Sequence, residues 1–199
     1  MNFAAVERQR LATTLLALGP DAPTLCEGWT AHHLAAHLVI RENDPVAAAG
    51  MFVPLFKSRL ERAMEEQLNR DFEDVVGQWG RGPQGIWQVM DSRANVLEHF
   101  VHHEDVRRPH GLQPRSFSTA DAAELYRAFA SASWLFRRST AAVELWPAGH
   151  VPILCGDRSS SHRVQVFGEL GELVLFAYGR PALGLDWVGD GSLVQQLRL

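Results

Sequence analysis

Through its first ~110 residues the chain repeats apolar side chains at helical spacing and interrupts that rhythm only at glycine and proline clusters, which limits this half to a few helices joined by short connections. Between Ala4 and Leu18, the apolar residues Val6, Leu11, Leu15, Leu16 and Leu18 are interleaved with Glu7, Arg8 and Arg10, and Gly19-Pro20 stops the segment. A loop carrying Asp21, Pro23 and Gly28 leads to Thr30, the expected N-cap of a second helix that runs from Ala31 into the early forties; Asp44-Pro45 ends or kinks it. A third helical stretch is expected from about Pro54 to Trp79, punctuated by Gly80, Gly82 and Pro83. A fourth runs from about Gln84 to Arg108 and is closed by Pro109 and Gly111. Four helices with short connections predict an antiparallel four-helix bundle.

The second part changes character. Ser118 or Thr119 caps one more amphipathic helix, expected to reach about Arg138. His162–Phe167 and Glu172–Tyr178 are short, rich in Val, Leu and Phe, and separated by Gly168-Glu169-Leu170-Gly171, so they are expected to form a hairpin. Val143–Cys155 and Leu185–Val188 add candidate strands, and Pro109–Ser116, with two prolines and a glycine, is the expected linker. The fold class is therefore α+β: a four-helix bundle over residues 1–112 followed by a small α+β domain over residues 113–199.

Composition narrows the function. At 199 residues, 46% apolar and 21% charged, the chain is of ordinary globular make-up, and its net charge of −4 disfavours generic nucleic-acid binding, which needs clustered cations. The longest uncharged run, around Asp44–Phe56, is too short to span a bilayer, and Glu7, Arg8 and Arg10 sit where a signal peptide would need its apolar core. Two cysteines, Cys26 and Cys155, make neither a disulfide framework nor a metal knuckle. A cytoplasmic protein is expected, monomer or homodimer, with no nucleic-acid or membrane partner.

Histidine is in surplus: nine residues, with His32-His33 and His102-His103 as pairs. Imidazole is the commonest metal ligand and titrates near neutrality, so the surplus points to metal or acid–base chemistry. On the fourth helix, Ala94, Val96, Leu97, Phe100 and Val101 form an apolar arc, while Glu98, His102 and Asp105, at i, i+4 and i+7, share one sector beside it. His99 and His103 point elsewhere on that wheel. On the second helix, Leu34 and Leu38 mark the buried stripe, and His37 and Arg41 lie on the same side. Two histidines and one carboxylate, His37, Glu98 and His102, suit zinc and equally iron, nickel or manganese. The competing reading is an ordinary polar pair, Glu98 with His102, at the edge of a bundle. His33 with His37 and His99 with His103 share the i, i+4 spacing but have poorer phase. Trp29 is expected to anchor the Cys26-Glu27-Gly28 loop, Cys26 to be a small buried apolar group, and Arg107 and Arg108 to be surface charges complementing the helix dipole.

Leu25–Pro45, LCEGWTAHHLAAHLVIRENDP, resembles the signature of the mycothiol-dependent maleylpyruvate isomerase-like proteins of actinobacteria, a branch of the DinB-like metal-binding four-helix bundles. Gly28-Trp29-Thr30 and Leu34-Ala35-Ala36-His37-Leu38 match its pattern, with His33 where an acidic residue is usual. Glu98, His102 and Asp105 match the family's E-x-x-x-H-x-x-D block, and Gly168–Arg180 is similar to its C-terminal Gly-Arg segment. The resemblance implies a divalent metal, most often zinc, on His37, Glu98 and His102. It implies mycothiol as a thiol co-substrate activated by that metal, and an enzyme of the transferase or isomerase class. It also implies an anion-binding arginine in the C-terminal domain, for which Arg180 is the candidate. Arg41, one turn after His37, is a second anion-binding candidate on its position alone, with a salt bridge to Asp44 or Glu98 as the competing reading. A non-catalytic metal-binding or stress-response module of the same fold is the alternative.

Overall fold

A computed structural model describes residues 2–82 and 94–196, and the chain divides into two compact units, Met1–Leu112 and Gln113–Leu199.

The first unit holds α1 (Phe3–Leu18), α2 (Ala31–Asn43), the one-turn α3 (Pro45–Ala48), α4 (Lys57–Leu68), α5 (Phe72–Gly80) and α6 (Ala94–Arg107). Local chemistry sets the ends. Asn2 accepts the Ala5 N–H at 2.9 Å to start α1, and Gly19, at φ +85°, stops it. Thr30 begins α2 as expected, and His33 takes the acidic residue's part in a capping box: the Thr30 N–H donates to His33 Nδ1 at 3.3 Å. Asp44 closes α2 and caps α3, with Pro45 in its first turn. The expected third helix is two: the chain breaks between Leu68 and Phe72, where Asp71 accepts the N–H groups of Glu73 and Asp74 and opens α5 afresh. The expected start of the fourth helix at Gln84 lies outside the described residues; α6 is described from Ala94.

α1 packs on α5 and α6, and α2 on α4 and α5. Leu11, Leu15, Leu34, Leu38, Val75, Val76, Trp79 and Val106 are at most 1% exposed and form the core of a four-helix bundle made by α1, α2, α5 and α6. α4 packs on α2 outside that core, with none of its residues fully buried. α6 is the opposite case. Val96, Leu97, Phe100, Val101 and Val106 are buried, and so are Asn95, His99, His102, His103, Glu104 and Asp105, so this helix has polar groups inside on more than one side.

The second unit contains α7 (Thr119–Ala130), a four-stranded sheet of β1 (Ala142–Pro147), β2 (Ile153–Gly156), β3 (Arg163–Gly168) and β4 (Asp186–Val188), and α8 (Leu170–Ala177). Ser118 caps α7, which ends at Ala130 rather than near Arg138; a short 3₁₀ turn, Ser133–Phe136, follows. The strand order is β2-β1-β3-β4, with β1 and β3 parallel and the outer pairs antiparallel. Val143, Leu145, Val164 and Val166 alternate inward and form one buried face.

The expected hairpin is not there. His162–Phe167 corresponds to β3, but Glu172–Tyr178 is the end of α8 and its C-cap, because all eight residues of that helix are buried and a fully buried segment carries no periodic signal to separate helix from strand. Gly179 supplies the stop. At φ +70° its N–H bonds Phe176 O at 2.9 Å while the Arg180 N–H reaches back to Leu175 O at 2.9 Å, the two bonds of a Schellman motif.

Candidate metal centre

His37 on α2, and Glu98 and His102 one turn apart on α6, each offer a ligand atom, and these three atoms lie within 4.8 Å of one another. His102 Nε2 is 3.4 Å from Glu98 Oε2, and the His37 and His102 rings meet edge-on with centroids 5.2 Å apart. On the other side of the His102 ring, Nδ1 lies 3.0 Å from Asp105 Oδ2. A carboxylate oxygen can only accept, so Nδ1 carries a proton and Nε2 is the nitrogen presented to the cluster. The Cys26 thiol donates to the same Asp105 oxygen at 3.2 Å, so Cys26, His102 and Asp105 form a second close group that shares His102 with the first. Trp29 stands 5.3 Å from the His37 ring and packs on the core, the anchoring expected of it.

Burial and charge divide the cluster sharply. Burial, aided by the neighbouring His102, pushes the His37 imidazole down to about 3, so it stays neutral. Burial would raise the Glu98 carboxyl, but the hydrogen bond with His102 and the charge of Arg41 outweigh it and hold the group at about 2. Burial likewise opposes a charge on His102, yet Asp105, Cys26 and Glu98 overcome it and raise this imidazole well above its usual range. Arg41 Nε sits 3.4 Å from Glu98 Oε2, and Arg41 also donates to Asn95. His37 and His102 are buried, whereas the side chains of Glu98 and Arg41 are 19% and 22% exposed, so the cluster meets solvent at their edge. Two imidazole nitrogens and a carboxylate oxygen within a few ångströms, one imidazole steadied by a carboxylate behind it, fit a tetrahedral divalent ion that keeps a coordination position open.

Several neighbours differ from expectation. His99 is fully buried and His103 nearly so, because α6 also faces α1: His99 Nδ1 bonds Ala4 O at 2.9 Å, and His103 lies between Glu7 Oε2 at 3.1 Å and Thr14 Oγ1 at 3.0 Å. Cys26 packs against the core as expected, but it is only half-buried and its thiol is hydrogen-bonded to Asp105. Arg107 and Arg108 are not surface charges; both hold the buried Glu104 carboxylate at 2.6 Å. Arg180 belongs to the second unit, where its Nη1 donates to Tyr178 O at 3.3 Å just beyond the end of α8. Glu42, Glu7 and Asn95, all part of the polar interior, carried no sequence signal. Glu42 lies within an exposed-looking REND run, and nothing on its own helix shows that three other helices reach for it.

No protein-family model and no curated protein matches the sequence. Solved structures do. The crystal structure of a mycothiol-dependent maleylpyruvate isomerase superposes with a TM-score of 0.64 at 15% identity, covering 98% of this chain and 94% of that one. This chain has that isomerase's fold. A histidine-to-alanine mutant of the mycothiol-dependent maleylpyruvate isomerase matches at the same TM-score with 14% identity. The likeness in fold agrees with the resemblance carried by the three sequence blocks.

Proposed function

We propose that His37, Glu98 and His102 hold a divalent metal, zinc first and nickel, iron or manganese as alternatives, and that the chain is a mycothiol-dependent isomerase or transferase acting on an anionic electrophile of the maleylpyruvate type. The observation that carries this reading is the buried pair of histidines with one carboxylate inside the fold of an isomerase that depends on mycothiol. A divalent ion held by these three residues would supply Lewis acidity, which favours the thiolate, the nucleophilic form of a thiol.

The chain's own residues prepare the site. Asp105 fixes the His102 ring and its tautomer, and Cys26 steadies Asp105 through the same oxygen. Trp29 closes one side of His37 with an apolar surface. Glu98 is kept ionised, and Arg41, anchored by Glu98 and Asn95, places a guanidinium at the cluster's solvent edge, where it can pair with a substrate carboxylate. Arg180 is assigned the same task from the second unit, on its match to the family's Gly-Arg segment. A guanidinium offers a planar two-point partner that offsets the repulsion between a thiolate and an anionic substrate.

The test is direct. Zinc-loaded protein is mixed with mycothiol and maleylpyruvate, and product is followed by absorbance and chromatography. Isomerisation, or formation of a thiol adduct, that requires both zinc and mycothiol supports the reading; a zinc-loaded protein that neither isomerises nor conjugates would leave it without support.

A further inference from the structure

We infer that Glu42 is a positioning residue for the metal cluster: it sets the register of α2 against α6, and so the distance from His37 to Glu98 and His102, from a point outside the cluster. The inference rests on the proposed metal centre.

The cluster is assembled from two helices, so its geometry is only as good as their register. Three rungs cross-link the two helices: His37 faces His102, Arg41 faces Glu98 and Asn95, and Glu42, beside Arg41, faces His99, beside Glu98. The first two rungs involve the cluster residues themselves. The last does not. Glu42 Oε1 accepts from His99 Nε2 of α6 at 3.2 Å and from Trp79 Nε1 of α5 at 3.0 Å, while Oε2 takes Arg8 Nη1 of α1 at 2.7 Å. One carboxylate on α2, its side chain 5% exposed, therefore ties α2 to α1, α5 and α6.

The partners are held from behind as well. Arg8 also donates to Trp79 O at 3.0 Å and lies 4.9 Å over the Trp79 ring, and His99 bonds Ala4 O. A rotation or slide of α2 would have to break several buried, charge-assisted bonds at once. Gln at this position keeps the shape but loses the charge, and its amide turns a donor toward groups that are themselves donors.

Glu7 provides the comparison. It is a fully buried carboxylate that joins α1 to His103 of α6. A general loss of stability would act alike through either residue; a register effect would act through Glu42 alone.

Wild type, Glu42→Gln and Glu7→Gln are prepared metal-free, checked for helix content by circular dichroism, and titrated with zinc against a competing chelator well below their melting temperatures. Cobalt(II) is then substituted and its visible ligand-field bands recorded. The expected result is zinc affinity at least about tenfold weaker in Glu42→Gln, with shifted cobalt bands, and values like wild type in Glu7→Gln. Should Glu42→Gln fail to fold, His99→Leu removes the same rung from α6 and is expected to show the same loss. Wild type that binds no metal overturns the metal centre and this inference with it. Normal zinc affinity and cobalt bands in Glu42→Gln, or an equal loss in Glu7→Gln, overturn the role of Glu42 alone.

Discussion

His37 and His102 have the same side chain and face each other across 5.2 Å, yet one is held neutral and the other favours its proton. The difference is second-neighbour chemistry: Asp105 and Glu98 flank His102, whereas His37 is desolvated and faces that cation. Glu98 and His102 were legible from their i, i+4 spacing and His37 from its place on a buried stripe. The split in their charge was not, because it depends on groups that only folding brings close. Arg41 and Arg180 can be separated kinetically. Arg180→Ala is expected to cut kcat/KM for an anionic substrate about 10²-fold, roughly 3 kcal/mol of transition-state stabilisation, with zinc content unchanged. Arg41→Ala, which also removes a partner of Glu98, is expected to lower both catalysis and zinc affinity. Glu42 gives a pH-dependent prediction. Burial would raise its carboxyl, but His99 and Arg8 hold it below 4.5 in the folded chain, so the unfolded chain binds more protons in acid and stability falls as pH drops through that window. Urea unfolding at neutral pH should show Glu42→Gln destabilised by about 3 kcal/mol, and the gap to wild type should narrow as pH falls below the unfolded carboxyl's range.

At the scale of elements, punctuation was the reliable signal. Gly19-Pro20, Thr30 and Asp44-Pro45 mark real boundaries, because each acts through local backbone chemistry that tertiary contacts do not override. Periodicity failed where burial is complete. The segment Glu172–Tyr178 resembles a strand because α8 is buried on every side, and only the glycine after it, a helix stop, marks it as helical. α6 misled in the other direction: an amphipathic wheel assigns polar groups to solvent, but this helix buries histidines and acids against α1 and around the cluster. The α8 reading makes its own prediction. Gly179→Ala must place a Cβ at φ +70° and is expected to destabilise the second unit by about 1 kcal/mol, measured by chemical denaturation; no loss would argue against the helix stop.

For the molecule as a whole, the fold is shared with a mycothiol-dependent isomerase at 15% identity, which shows how little of the chain must be kept to preserve the architecture. Among the described residues, the bundle interior buries Glu7, Arg8, His37, His99, His102, His103, Glu104 and Asp105, held in ion pairs and hydrogen bonds or placed where they can meet a metal. An ion bound only by the folded state adds to stability by mass action, about 2.7 kcal/mol at a hundredfold excess over Kd, so zinc is expected to raise the melting temperature of the wild type. Elemental analysis of the purified protein and of His37→Ala, Glu98→Ala, His102→Ala and His32→Ala bears most directly on the cluster. About one equivalent of divalent metal per chain in wild type and His32→Ala, falling sharply in each of the other three, is the expected result; metal absent from wild type, or retained when His37, Glu98 or His102 is removed, would contradict it.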